Sequence, residues 1–146
     1  AFHIIDIETN TQVGEYKGQL STTEFGHLLV GIATEYNEAL LVVENANIGW
    51  DTIQTILDRG YQNVYYSSKS DTANITMDNF LSRNDNNLVP GFTNSIKTRP
   101  LVVSKLEAYM RERACIIQSR RTLEELRTFV WKNESISKFS LIVLIN

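Results

Sequence analysis

The chain is short of the residues that usually announce a chemistry. It has one cysteine, two histidines, two prolines and seven glycines in 146 residues. The lone Cys115 excludes an internal disulfide and a cysteine-built zinc site. Its apolar neighbours Ala114, Ile116 and Ile117 predict a buried structural thiol. His3 falls in a strand-like segment and His27 in a helix-like one. No two histidines stand at metal-ligand spacing, and both read as structural or surface groups. There is no GxxxxGK[ST] stretch, which removes the phosphate-cradling loop an ATPase needs. No serine is placed at a nucleophile elbow. The longest apolar run, residues 141–145, is far too short for a membrane span. The first residues lack the order of a secretory leader, so the sequons at Asn74 and Asn133 carry little meaning.

What remains is the make-up of a globular protein, 42% apolar and 21% charged. That length suits one domain, residues 1–146, with a real core. The net charge of −3 hides an asymmetry: residues 1–73 carry three Lys/Arg against ten Asp/Glu, and residues 74–146 carry eleven against seven. The basic residues gather at Lys97, Arg99 and Lys105, at Arg111 and Arg113, and at Arg120, Arg121 and Arg127. A basic half beside a strand-end acid could suit a metal-dependent nuclease, but from charge alone a solvated helix face is the favoured reading.

The apolar spacing predicts alternating strands and helices. Residues 2–7 and 12–17 read as a hairpin across a polar turn. Ser21, Thr22 or Thr23 caps a helix to Tyr36, with Phe25, Leu28, Leu29 and Ile32 on one face. Residues 39–43 form a central strand. A helix over 48–59 turns Ile48, Ile53, Ile56 and Leu57 inward and stops at Gly60. A short strand at 64–66 leads into a polar loop over 67–87, long enough to be functional or disordered. Thr98 and Pro100 open a helix over 101–113, followed by a strand at 114–118 and a helix at 122–131. This alternation predicts an α/β fold with a mixed sheet.

Within that order Glu44 stands out. It follows the apolar run Leu40-Leu41-Val42-Val43, and ligands of open α/β sheets gather at the carboxyl ends of strands. Glu44 is therefore the candidate metal-binding or catalytic acid, with a solvated or helix-capping acid as the plain alternative.

Two resemblances bear on function. Asp6-Ile7-Glu8-Thr9 resembles the first motif of proofreading-type 3′–5′ exonucleases, where Asp-x-Glu binds two metals. The stretches 101–113 and 122–131 contain none of the further aspartates such enzymes need. The second resemblance covers about 130 residues. Phe2-His3-Ile4-Ile5-Asp6 with Gln12-Val13-Gly14-Glu15-Tyr16 is similar to the second and third strands of the nuclease domain of tailed-phage large terminases. Leu41-Val42-Val43-Glu44-Asn45-Ala46-Asn47 resembles the strand that delivers that family's middle catalytic acid. Gly91-Phe92-Thr93-Asn94-Ser95, Lys97-Thr98-Arg99-Pro100 and the helix to Arg113 are similar to the segment before its last catalytic strand. Ile116-Ile117-Gln118-Ser119-Arg120 and Leu123-Glu124-Glu125-Leu126-Arg127 continue the match.

The resemblance implies an RNase H-like mixed sheet flanked by helices, lacking its first strand in this chain. It implies an endonuclease domain of a DNA-packaging motor that cuts concatemeric double-stranded DNA with Mg²⁺ or Mn²⁺. Glu44 would be its catalytic and metal-ligating carboxylate. Apart from the resemblance, Lys97 and Arg99 stand at the start of a Pro-initiated helix whose free backbone N–H groups favour an anion. That makes them the candidate DNA-phosphate contacts or else ordinary solvated charges, with Arg120 and Arg121 the next candidates. The portal and ATPase domain would be partners, and the cytoplasm of the infected bacterial host the location, without membrane attachment. The chain departs from the pattern at both flanking acids. The first belongs to a strand preceding Ala1. Where an Asp-Asp pattern is expected after residue 131, the tail has Glu134 as its only acid. A two-metal site needs more oxygen ligands than one carboxylate supplies, so the resemblance implies weak or no cleavage by this chain. A catalytically silent DNA-binding or assembly module on the same fold is the alternative, and the Asp6/Glu8 exonuclease is the other.

Overall fold

A computed structural model describes residues 1–68 and 87–129, and the backbone of 143–145. Glu134, both sequons and most of the polar loop expected at 67–87 lie outside the described residues. The architecture is α/β, with four helices among the described residues. No helix among them is long and apolar enough to cross a membrane.

Strands β1 (Phe2–Asp6) and β2 (Thr11–Tyr16) pair as the expected antiparallel hairpin. Asp6 closes the turn between them by accepting the Glu8 N–H and the Thr9 hydroxyl, each at 2.9 Å. Helix α1 (Thr22–Glu35) starts where Ser21 caps it and Glu24 reaches back, a full capping box. Strand β3 (Leu40–Val42) follows, then α2 (Gly49–Asp58). Ile48 precedes the first turn of α2 and is 74% exposed, not inward as the spacing predicts, because it stands off the helix face that meets the core.

Strand β4 (Tyr66–Ser68) and β5 (Leu88–Pro90) make a separate two-stranded ribbon. The strand expected at 64–66 is displaced: Val64 makes only a single parallel bridge to Leu41. Helix α3 (Thr98–Arg111) and helix α4 (Arg120–Arg127) complete the helices. Between them, the strand expected at 114–118 shrinks to one bridge, Ile116 exchanging backbone hydrogen bonds with Gln12 and Asn10 at 2.8 and 2.9 Å. Ile116 is 55% exposed and Cys115 half-buried, so the thiol is not the core residue its apolar neighbours suggest.

The main sheet runs β2-β1-β6-β3, where β6 is Val143–Ile145. Strand β6 is parallel to β1 and antiparallel to β3, so the sheet is mixed and β1 and β3 run in opposite directions on either side of it. Helices α1 and α2 pack together, and the core is Phe2, Ile4, Leu29, Leu41, Ile53 and Ile56 with their smaller neighbours. Each fully buried large aliphatic side chain contributes about 1.5–3 kcal/mol. Helix α3 buries no residue completely. It is only loosely attached, and it lies beside the end of β3.

Candidate nucleic-acid interface

Side chains alternate along extended backbone, so Val43 turns into the core while Glu44 faces away from it, half-buried. The Glu44 position is held on both sides. Phe92 N–H donates to the Val43 carbonyl at 2.7 Å and Asn45 N–H to the Phe92 carbonyl at 3.0 Å. These bonds bring residues 91–95 alongside the strand end. The buried Asn45 amide then donates to the Pro90 carbonyl and the Thr93 hydroxyl, at 3.2 and 3.0 Å. Ser67 joins in from the ribbon, donating to the Gly91 carbonyl at 2.8 Å and accepting the Thr93 N–H at 2.9 Å.

This bracing delivers Asn94 to Glu44: Asn94 Nδ2 donates to Glu44 Oε1 at 2.9 Å. The other carboxylate oxygen makes no hydrogen bond among the described residues. Both side chains open onto a cavity of about 330 Å³ between the strand end and helices α3 and α4. Phe92 lines it beside Glu44, and Arg99 and Glu107 line it from α3. Val102, Val103, Leu106 and Met110 form the rest of the α3 wall, and Leu126 and Phe129 close it from the α4 side. The cavity is therefore mostly apolar, with two carboxylates, one carboxamide and one guanidinium in its lining.

Of the residues singled out from the sequence, Glu44 and Arg99 line this one cavity. Arg99 is half-buried and its guanidinium makes no ion pair among the described residues. Lys97 is exposed just before the first turn of α3. The free backbone N–H groups expected at that helix start are not free. Ser95 Oγ accepts the Lys97 and Thr98 N–H groups at 3.2 and 3.1 Å, and the Ser95 carbonyl accepts Arg99 N–H at 3.0 Å. An anion here would be held by side-chain charge, not by the helix end.

Arg120 and Arg121 are engaged elsewhere. Arg120 pairs with Glu124 at 3.0 Å. Arg121 pairs with Glu125 at 2.9 Å and with Glu15 of β2 at 2.7 Å, tying α4 to the hairpin. Asp6 and Glu8 sit in the hairpin turn, and hydrogen bonds from Thr9 and then Glu8 hold the Asp6 carboxyl below its ordinary pKa. His3 is a buried structural group, bonded to Gln12 at 2.8 Å, and His27 takes a contact from Arg59 at 3.0 Å.

The donor set does not complete a cage for Mg²⁺ or Mn²⁺. Among the described residues no three His, Cys, Asp or Glu side chains gather as a metal group. Glu44 has an amide for a neighbour, where a hard dication wants several oxygens, most of them anionic. No metal step is derived from it. Asn45 and Asn94 are the residues of this arrangement that sequence reasoning did not single out. The polar run Thr93-Asn94-Ser95 ahead of a helix was a visible signal of a structured turn, but not of its target.

No family model matches the chain, and neither a curated protein nor a solved structure is significantly similar to it.

Proposed function

We propose that this chain is part of an RNase H-like nuclease domain of the tailed-phage large-terminase kind, and that it holds double-stranded DNA at the Glu44 end of its sheet. The observation that carries the reading is the placement of Glu44 past the carboxyl end of β3, with Arg99 on the same cavity. The packaging motor's portal and ATPase domain would be its partners, and the host cytoplasm its place of action.

One observation favours a second reading. Among the described residues Glu44 joins no group of three metal-ligating side chains, which suits a DNA-holding or assembly module with little cleavage of its own. Cutting with Mg²⁺ or Mn²⁺ would need acids that the described residues do not bring together. The exonuclease alternative draws no support from Asp6, whose two oxygens are both used in the turn.

Titration of a labelled duplex at several salt concentrations, with plasmid nicking in Mn²⁺ alongside, tests both readings. Replacing Lys97 and Arg99 with alanine is expected to weaken binding and to lower the log–log salt slope by roughly 0.9 for each phosphate left without its cation. An unchanged affinity and slope would remove this edge as the DNA surface. Nicking is expected to be poor; robust nicking abolished by Glu44→Ala would show a complete metal site, and nicking abolished only by Asp6→Ala would establish the exonuclease.

A further inference from the structure

The cavity beside Glu44 is larger and more apolar than a phosphate-holding edge requires. Its walls are mainly aliphatic and aromatic, yet the Glu44–Asn94 pair, Arg99 and, on the α3 side, Glu107 also line it. The Glu44 oxygen that accepts nothing from the described residues can accept an N–H. Asn94 spends an N–H on Glu44, and its carbonyl oxygen accepts no hydrogen bond from the described residues. Arg99 supplies donors to the same cavity.

We propose that this cavity receives a single unstacked nucleobase from a DNA strand whose backbone lies on Lys97 and Arg99; the inference rests on the DNA-holding reading above. Each part of the occupant answers a part of the site. A base is flat and apolar on both faces, and gains from aromatic and aliphatic walls such as Phe92, Leu106 and Phe129. Its edge carries N–H donors for the Glu44 carboxylate and ring or carbonyl acceptors for Arg99. Its phosphate follows within reach of the same arginine. A fatty acid fits the walls but brings a carboxylate to Glu44, with mutual repulsion. The volume, about 330 Å³, lies within the roughly 300–1,000 Å³ usual for small-molecule pockets and admits a base.

The chemistry also sets a preference. Cytosine, adenine and guanine each carry an exocyclic amine that a carboxylate accepts well, and thymine does not. The site therefore favours amino-bearing bases, and duplex DNA binds best where one such base is already unpaired, because extruding a paired base costs a few kcal/mol.

The experiment compares labelled duplexes that differ at one central position on one strand: an unpaired cytosine, an unpaired thymine, or an abasic site. With the unaltered protein, the unpaired cytosine is expected to bind between roughly 5-fold and 150-fold tighter than the abasic site, the range that corresponds to stacking one base. Thymine is expected to fall between the two. Met110→Trp, at a position 41% exposed, narrows the cavity from its rim and is expected to erase the cytosine advantage while keeping the salt slope. Leu106→Trp repeats the test from deeper in the wall. Equal affinity for the base and the abasic site would overturn the nucleobase site. If Lys97→Ala/Arg99→Ala still lowered the salt slope, the DNA-holding reading would survive that result. Binding of none of the three duplexes would end both.

Discussion

A β-carbon on Gly49 would lie 1.9 Å from the carbonyl oxygen of Glu44. The first turn of α2 is thus laid directly against the backbone of the candidate site residue, and only the absence of a side chain permits it. Exchanging glycine for alanine in a helix ordinarily stabilises by roughly 0.5–1 kcal/mol. Here the sign reverses, because the overlap is with backbone and no side chain can swing away; overpacking of this kind costs about 1–3 kcal/mol. Gly49→Ala is therefore expected to lower the urea midpoint and to weaken DNA binding through displacement of Glu44. A variant as stable as the parent would mean that α2 does not start against Glu44.

A pH effect follows from His3. Burial first, and then the nearby Arg121 charge, hold its pKa below the ordinary 6.5. Gln12 gives the geometric reason. Its Oε1 accepts the Ser119 N–H at 3.1 Å, which turns Nε2, a donor, toward His3 Nδ1. Nδ1 must then be unprotonated. Since the folded pKa is the lower one, the unfolded chain takes up the proton first. The stabilisation is complete above the unfolded value of about 6.5 and is lost as pH falls below it. Urea midpoints are expected to drop between pH 7 and pH 5, with a shallower drop in His3→Gln. An identical pH slope in that variant would assign the acid sensitivity to carboxylates instead.

Arg121 separates folding from binding. Its pairs with Glu15 and Glu125 are partly shielded, the arginine side chain being 26% exposed. Arg121→Ala is expected to cost at most about 1 kcal/mol of stability, since such pairs are worth little near solvent. Duplex affinity should stay within twofold of the parent's, because the arginine's charge is already engaged by protein carboxylates. A fall in affinity as large as that of Lys97→Ala/Arg99→Ala would move the DNA surface to α4.

Asn45→Ala removes two buried hydrogen bonds that hold residues 90–93 to the strand end. Leaving the Pro90 carbonyl and the Thr93 hydroxyl without that donor costs roughly 1–3 kcal/mol. The unpaired-cytosine advantage should fall with it, because Asn94 is carried by the same turn. Loss of stability with that advantage intact would show that Asn94 is placed by other contacts.

The helices were legible because local signals decide them. Ser21 and Glu24 form the capping box their spacing announces, and Gly60 follows α2 with a φ of +75°. Glu44 was legible for the same reason, an acid after a run of four apolar residues. The strand at 114–118 was misjudged, since an apolar run does not reveal how much partner backbone lies beside it, and Ile116 finds one bridge only. Neither could local pattern show the Asn94–Glu44 contact, which spans 50 residues through a turn set by Ser67 and Asn45. The place of residues 143–145 was equally hidden: an apolar stretch does not state which gap in a sheet it will fill.

That gap has a consequence for how the molecule comes into being on the ribosome. Of the described strands, the one made last lies inside the sheet, as His3 pairs with Val143 and Leu40 with Ile145. The hairpin, α1, β3 and α2 can all form early, but β1 and β3 must wait with facing rows of unpaired backbone groups until β6 emerges. Pairing between such distant parts of a chain is slow, and open strand edges invite pairing with other chains. Synthesis halted after α4 would therefore leave a product with most of its core residues and an open seam through its sheet, liable to self-association.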